Sequence, residues 1–286
     1  MILIADGGST KADWILLDNN GEVVLKTRTA GLNPAVFPAE LLQARIEENE
    51  DFRVYKEKIT HVYFYGAGCG TKKPTALLKS ILESFFTNAT VEVKEDTYAA
   101  TYAVTTEPGI VCILGTGSNS SYFDGKDVIN GVASLGFILM DEASGNYFGK
   151  RLIRDYFYKR MPKRYAKKFE SQFDVDPDVI KRNIYKENNP NTYLAHFAEF
   201  IFRNERNAYG DKVLEKGINV FFKTRILTYK EVKDVPVHFV GSIAFFSKDI
   251  IEKVAKKYNV TLGTILRRPI DGLIEYHREK LKSEQI

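Results

Sequence analysis

The sequence predicts an α/β protein made of two similar halves, the second carrying a large helical insertion. Three observations carry that prediction. From Met1 to about residue 115, short β-branched and aromatic runs alternate with amphipathic helix patterns. From Asp141 to about Val235, apolar residues recur at helical spacing. A three-strand unit with a glycine-and-hydroxyl turn between its first two strands occurs twice, at residues 2–24 and 109–130.

In chain order, the strands of the first half are "ILIAD", "DWILLD", "EVVLKT", "HVYFYGAG", "ATVEVKED" and "GIVCILGTG", each closed by Gly, Asp or Asn or followed by a turn. Helices are expected at 38–51 and 74–86, both opening on a proline suited to a first turn. The insertion reads as the helices "SGNYFGKRLIRDYFYKRM", "DPDVIKRNIYK", "TYLAHFAEFIFRNE" and "DKVLEKGINVFFKTRILTY". A last strand, "VPVHFVGSI", precedes helices expected near 246–257 and 266–281. A chain of 286 residues implies two domains, or one large one.

Composition excludes several classes. Hydrophobic residues at 44% and charged residues at 27% argue against long disorder, collagen repeats or a coiled coil. The balance of 41 Lys and Arg against 37 Asp and Glu is too even for a dedicated nucleic-acid binder, and the basic run at 159–168 reads as the wet face of helices. Cys69 and Cys112 lie far apart with no metal-ligand spacing, which fits a reducing compartment. No targeting pattern and no run of about 18 apolar residues occurs, so a cytoplasmic protein without membrane partners is expected. The aromatic-rich stretch 147–202 offers a homodimer face; its plain alternative is core.

The repeated turns carry the chemistry. Glycines let the backbone turn sharply and leave no Cβ between amides and a ligand oxygen, and Ser or Thr adds a hydroxyl. Gly7, Gly8, Ser9 and Thr10, and then Gly115, Thr116, Gly117 and Ser118, are therefore candidate phosphate nests facing each other across a cleft. A plain hairpin turn explains either one alone; their duplication favours anion binding. Asp6, beside the first nest, suits a magnesium ion. No GxxxxGK[ST] occurs, and "GAGCG" at 66–70 has Thr71 where a dinucleotide fingerprint needs its third glycine.

At "ADGGSTKAD", "GTGSNS", "LMDEASG" and "FVGSIA", in this order and spacing, the chain resembles the N-acetylglucosamine kinase family of the actin, sugar kinase and Hsp70 superfamily, and the related BadF/BadG/BcrA/BcrD-type ATPases. The resemblance implies two ribonuclease-H-like (actin-like ATPase) domains facing a central cleft: residues 1–107 with 268–286, and residues 108–267 with the helical insertion. It further implies ATP and magnesium as cofactors and phosphorylation of the 6-hydroxyl of N-acetylglucosamine or a related amino sugar.

Carried over by position, Gly7 to Thr10 and Gly115 to Gly117 match the phosphate loops, and Gly241 and Ser242 the adenosine-side loop. Asn33, Ser118, Asn119, Ser134, Leu135, Gly136 and Asp141 match substrate-side positions, and Asp96 matches the catalytic acid. From position alone Asp96 reads as a helix N-cap, and Asp141 with Glu142 as a first-turn acidic pair. The chain departs from the family at Ala133 to Gly136, where Gly-Gly-Trp-Gly is usual, and at Met140, where a glycine precedes the acid. A BadF-type activator holding an iron-sulfur cluster, and a nucleotide sensor without sugar turnover, are the alternatives; two cysteines are few for the first. The four histidines are scattered and read as structural or exposed.

Overall fold

The computed structural model describes residues 1–187, 189–203 and 207–284. The chain divides into two compact units, Met1–Thr106 with Arg268–Ile286, and Glu107–Arg267.

In the first unit the strands are β1 (Ile2–Gly7), β2 (Lys11–Leu17), β3 (Val23–Ala30), β4 (His61–Gly66) and β5 (Thr90–Glu95). They form one sheet in the order β3-β2-β1-β4-β5. Here β1, β2 and β3 make an antiparallel meander, and β4 and β5 continue it in parallel. Strand β1 alternates between two cores. Leu3 and Ala5 join Trp14, Phe52, Phe64 and Leu78 beneath helices α1 (Ala39–Glu47), α2 (Glu50–Tyr55) and α3 (Lys72–Phe85). Ile2 and Ile4 join Tyr63, Tyr65, Ala99 and Leu273 beneath α4 (Asp96–Tyr102) and α12 (Pro269–Glu284). A strand buried on both faces reads as a continuous apolar run, and "ILIA" is one.

The second unit repeats the plan. Strands β6 (Gly109–Leu114), β7 (Ser118–Phe123) and β8 (Val128–Ile129) form the meander, and β9 (Val237–Val240) and β10 (Leu262–Leu266) extend it in parallel, giving the order β10-β9-β6-β7-β8. Between β8 and β9 lie α5 (Gly145–Phe157), α6 (Lys163–Gln172), α7 (Pro177–Tyr185), α8 (Pro190–Arg203) and α9 (Ala208–Phe221). Helices α10 (Ser242–Phe246) and α11 (Lys248–Tyr258) connect β9 to β10. Both units thus have a five-stranded mixed sheet, as two similar α/β halves require.

Several expectations are corrected. The helix expected over 38–51 is two helices, because the Asn49 side chain accepts the Phe52 amide and restarts the chain as an N-cap. "VPVHFVGSI" is not the last strand, since Leu262–Leu266 adds β10 beside it. Asp141 and Glu142 are not in a first helical turn: Ser144 caps α5, and Asp141 precedes it with a positive φ of 70°. Asn204 and Glu205, which end the third expected insertion helix, lie outside the described residues. His277 is a structural histidine: it is buried on α12, its Nε2 lies 3.0 Å from the Tyr65 hydroxyl, and burial beside Lys280 and Lys94 pushes its imidazole down to about 3. No described helix is long and apolar enough to cross a membrane.

Candidate active site

The first turn, Gly8 to Thr10, joins β1 to β2. Its amides are not all available: the Gly8 N–H donates to the Lys11 carbonyl at 2.8 Å. Among the described residues the Ser9 and Thr10 amides carry no such bond, and the Thr10 side chain is exposed. Gly7 is required by packing, since a Cβ there would lie 2.3 Å from Cζ of Phe64. The loop after β3 buttresses the turn from behind. A Cβ on Gly31 would fall 2.0 Å from the Ser9 carbonyl oxygen, and Asn33 Nδ2 donates to Ser9 Oγ at 2.8 Å while its Oδ1 accepts the Ala35 amide at 2.9 Å. Asn33 is buried, with both ends of its amide in use. Its observed work is to brace the first turn.

Two carboxylates stand at the carboxyl ends of β1 and β5, the strands on either side of β4. Asp96 is the first residue of α4, while Glu95 occupies the N-cap position and takes the Thr97 hydroxyl at 3.2 Å, so the cap reading of Asp96 does not hold. Burial, then the charge of Glu95, raises Asp96 to about 6, although the amides of Thr97 and Asp96 itself favour its charged form. Burial, then the charges of Asp96 and Asp13, raises Asp6 to about 7 against the pull of Lys11. Asp6, which feels the charge of Asp96, is an oxygen donor of the kind a hard dication takes. Cys69 sits beside them, buried and pushed up to about 12. Cys112, in β6, is also buried and raised. Neither thiol is a ready thiolate ligand.

In the second unit the corresponding turn, Gly115 to Gly117, is held by the start of α5: the Gly145 and Asn146 amides donate to the Gly115 and Thr116 carbonyls at 2.8 and 3.0 Å. Here too one amide is occupied, Gly115 N–H meeting the Gly117 carbonyl at 3.0 Å. A Cβ on Gly115 would touch nothing within 4 Å, because that face opens into a cavity of about 580 Å³. Gly115, Thr116 and Ser242 line the cavity. Gly241, with φ 122°, lets β9 turn into α10 against Leu114, whose carbonyl oxygen a Cβ would reach at 2.3 Å.

Asp141 is buried against the same turn, where a Cβ on Gly117 would lie 2.9 Å from its Oδ2. Asn146 Nδ2 donates to that Oδ2 and to the Thr116 carbonyl, both at 2.8 Å. Ser118 Oγ is buried without a partner among the described residues, an orphan that a ligand hydroxyl would satisfy. Asn119 Oδ1 accepts the Ser120 amide at 2.9 Å, and its Nδ2 is a further donor. Ser134 and Leu135 are exposed, and Gly136 has φ 78° with open space where a side chain would stand.

No family model matches the chain, and no curated protein matches it. Solved structures do. A proposed N-acetylglucosamine kinase from Porphyromonas gingivalis is 34% identical, covers 98% of this chain and 99% of its own, and superimposes with a TM-score of 0.91. The chain belongs to the N-acetylglucosamine kinase family. A second such protein, from Chromobacterium violaceum, shares the fold at 15% identity, with a TM-score of 0.72 over 96% of this chain and 98% of its own. So does a glucokinase of the ROK family from Streptomyces griseus, solved with glucose and AMPPNP, at 13% identity and a TM-score of 0.65 over 96% and 97% of the two chains.

For this N-acetylglucosamine kinase family member, sequence reasoning missed the far wall of the cavity. Phe202 at the end of α8 and Phe246 at the end of α10 have ring centroids 5.7 Å apart, and the Arg267 guanidinium lies 5.0 Å over the Phe246 ring. These residues come from separate elements, and each alone reads as an ordinary helix or strand-end residue. Asn146 was missed as well. An asparagine wholly buried two residues past an N-cap is unusual enough to have drawn attention.

Proposed function

We propose that the protein is a sugar kinase that transfers the γ-phosphoryl group of ATP to the 6-hydroxyl of N-acetylglucosamine or a close amino sugar. One observation carries the reading: on a single turn, Gly115 and Thr116 line a nucleotide-sized cavity while Gly117 packs on a buried carboxylate, Asp141, suited to sugar hydroxyls. Family membership supports the class of reaction.

In this reading Thr116 and the open face of Gly115 receive phosphate oxygens, and Ser242, Phe246 and Arg267 border the adenosine. Asp141 and Asn119 take sugar hydroxyls, and the orphaned Ser118 hydroxyl gains a partner. Thr10 and the free amides of the first turn serve the transferred phosphate. Asp96 accepts the proton of the attacking hydroxyl; raised to about 6, it is ionised at neutral pH yet basic enough to take that proton. Asp6 would hold magnesium, directly or through water, and the ion would neutralise phosphate charge when bound.

The test is ADP release with ATP and magnesium against amino sugars and plain hexoses. Turnover should be stimulated by N-acetylglucosamine or a close relative. Asp96→Asn should lose about 10²–10⁴-fold in kcat while binding a non-hydrolysable ATP analogue nearly as before. Stimulation by no sugar would overturn the kinase reading and leave an ATPase or nucleotide sensor.

A further inference from the structure

Arg225 has no part in the chemistry above, yet it is 1% exposed in a π-helical turn, Phe222–Ile226, that follows α9. Its Nη1 donates to the Val132 carbonyl at 3.0 Å and reaches the Ala133 carbonyl at 3.5 Å. Its Nη2 lies 3.3 Å from Met140 Sδ, and its Nε lies 4.0 Å from Glu142 Oε2. Burying a guanidinium costs several kcal/mol, and an apolar side chain of similar volume would often leave such a fold as stable or more so. Two carbonyls, a thioether and one carboxylate beyond hydrogen-bond range offset little of that cost. A π turn in place of an α turn is also a recurrent mark of function.

The partners share one property: they are the two ends of a single segment. Val132 and Ala133 enter it, and Met140 and Glu142 leave it. Between them runs a largely exposed stretch, with Ile138 at 77% and Leu139 at 71% exposure. The segment has few anchors of its own. The Tyr229 hydroxyl accepts the Gly131 amide at 3.4 Å, the Lys150 ammonium donates to the Phe137 carbonyl, and a local turn bonds the Leu139 and Met140 amides to the Gly136 carbonyl.

We propose that Arg225 is a positioning residue: it clamps both ends of the 132–142 segment and so fixes Ser134 to Gly136 and Asp141 in the arrangement that reads the sugar. This rests on the sugar-kinase reading. Met140 supplies the sulfur that the clamp grips at the exit of the segment.

The experiment uses the full chain with Arg225→Met and Arg225→Lys, and two readouts. Hydrogen exchange of the Gly131, Leu139 and Met140 amides needs no substrate; Arg225→Met should speed it about tenfold, while amides of β6 and α5 keep their protection. The KM for sugar should rise about tenfold with the KM for ATP and kcat within about twofold, and Arg225→Lys, which can still reach one carbonyl, should recover part of the loss. Unchanged exchange in a folded Arg225→Met, or parallel rises in both KM values, would overturn the proposal. If Arg225→Met does not fold, Arg225→Lys decides: unable to span both ends, it should speed exchange at Leu139 and Met140 and raise the sugar KM about threefold, and no change in either would overturn the clamp. If the native chain turns over no sugar, the kinase reading fails, and the exchange data alone accept or reject the clamp.

Discussion

The two glycine turns of this chain look alike in sequence and are built differently. In the first, glycine is demanded from behind: Phe64 fills the space a Cβ on Gly7 would need, and the Ser9 carbonyl fills that of Gly31. In the second, Gly117 is packed on Asp141, but nothing within 4 Å of Gly115 calls for glycine and its face borders the cavity, so only a bound ligand would need it. A repeated motif therefore marks a repeated backbone path, while the reason for each glycine lies in its own surroundings.

Exchanging one methyl separates the two cases most sharply. Gly7→Ala should destabilise the protein by about 1–3 kcal/mol through overpacking against Phe64, seen as a lowered urea midpoint. Gly115→Ala should leave the midpoint within about 0.5 kcal/mol and weaken nucleotide binding about tenfold, or about 1.4 kcal/mol. Equal loss of stability in both would mean that the second turn is as tightly packed as the first.

The same distinction bounds what could be read from the residues alone. Strand composition revealed the two meanders, and the echo of "DGGST" in "GTGSNS" revealed that they are equivalent, because both are local signals. Asp96 stands out only through resemblance, since an aspartate at a strand-to-helix junction has a structural explanation that position cannot remove. What stayed hidden depends on contacts distant in sequence. The use of the Gly8 amide by Lys11, the bracing of Ser9 by Asn33 and the grip of Arg225 on Val132 across 93 positions have no local signature. Strand β10 escaped because "LGTIL" is short, half-buried and opens beside a glycine.

A smaller effect separates the units by pH. Asp6 rises from 3.8 to about 7 and Asp96 from 3.8 to about 6 on folding. Between the lower and upper values the folded protein binds protons that the unfolded chain does not, so stability falls as pH rises through this window and stays low above it. In the proposed mechanism activity should run the opposite way, since Asp96 must be ionised to act as a base. Without magnesium, the urea midpoint should be higher at about pH 5 than at about pH 7.5, and Asp6→Asn should flatten most of that difference. An unaltered slope in the variant would show that Asp6 is not the group responsible.

The smallest effect compares the two threonines. Thr10 and Thr116 are both exposed at their turns, and valine keeps the β-branched shape while removing the hydroxyl. One hydrogen bond is worth about 0.5–1.5 kcal/mol, so each change is a matter of a few-fold and neither should move the melting temperature. Because the second turn borders the cavity, Thr116→Val should weaken binding of an ATP analogue, whereas Thr10→Val should lower kcat with little change in that affinity. The reverse pattern, with Thr10 carrying the binding loss, would assign the nucleotide's main seat to the turn whose glycines are packed from behind, and the open face of Gly115 would then need another occupant.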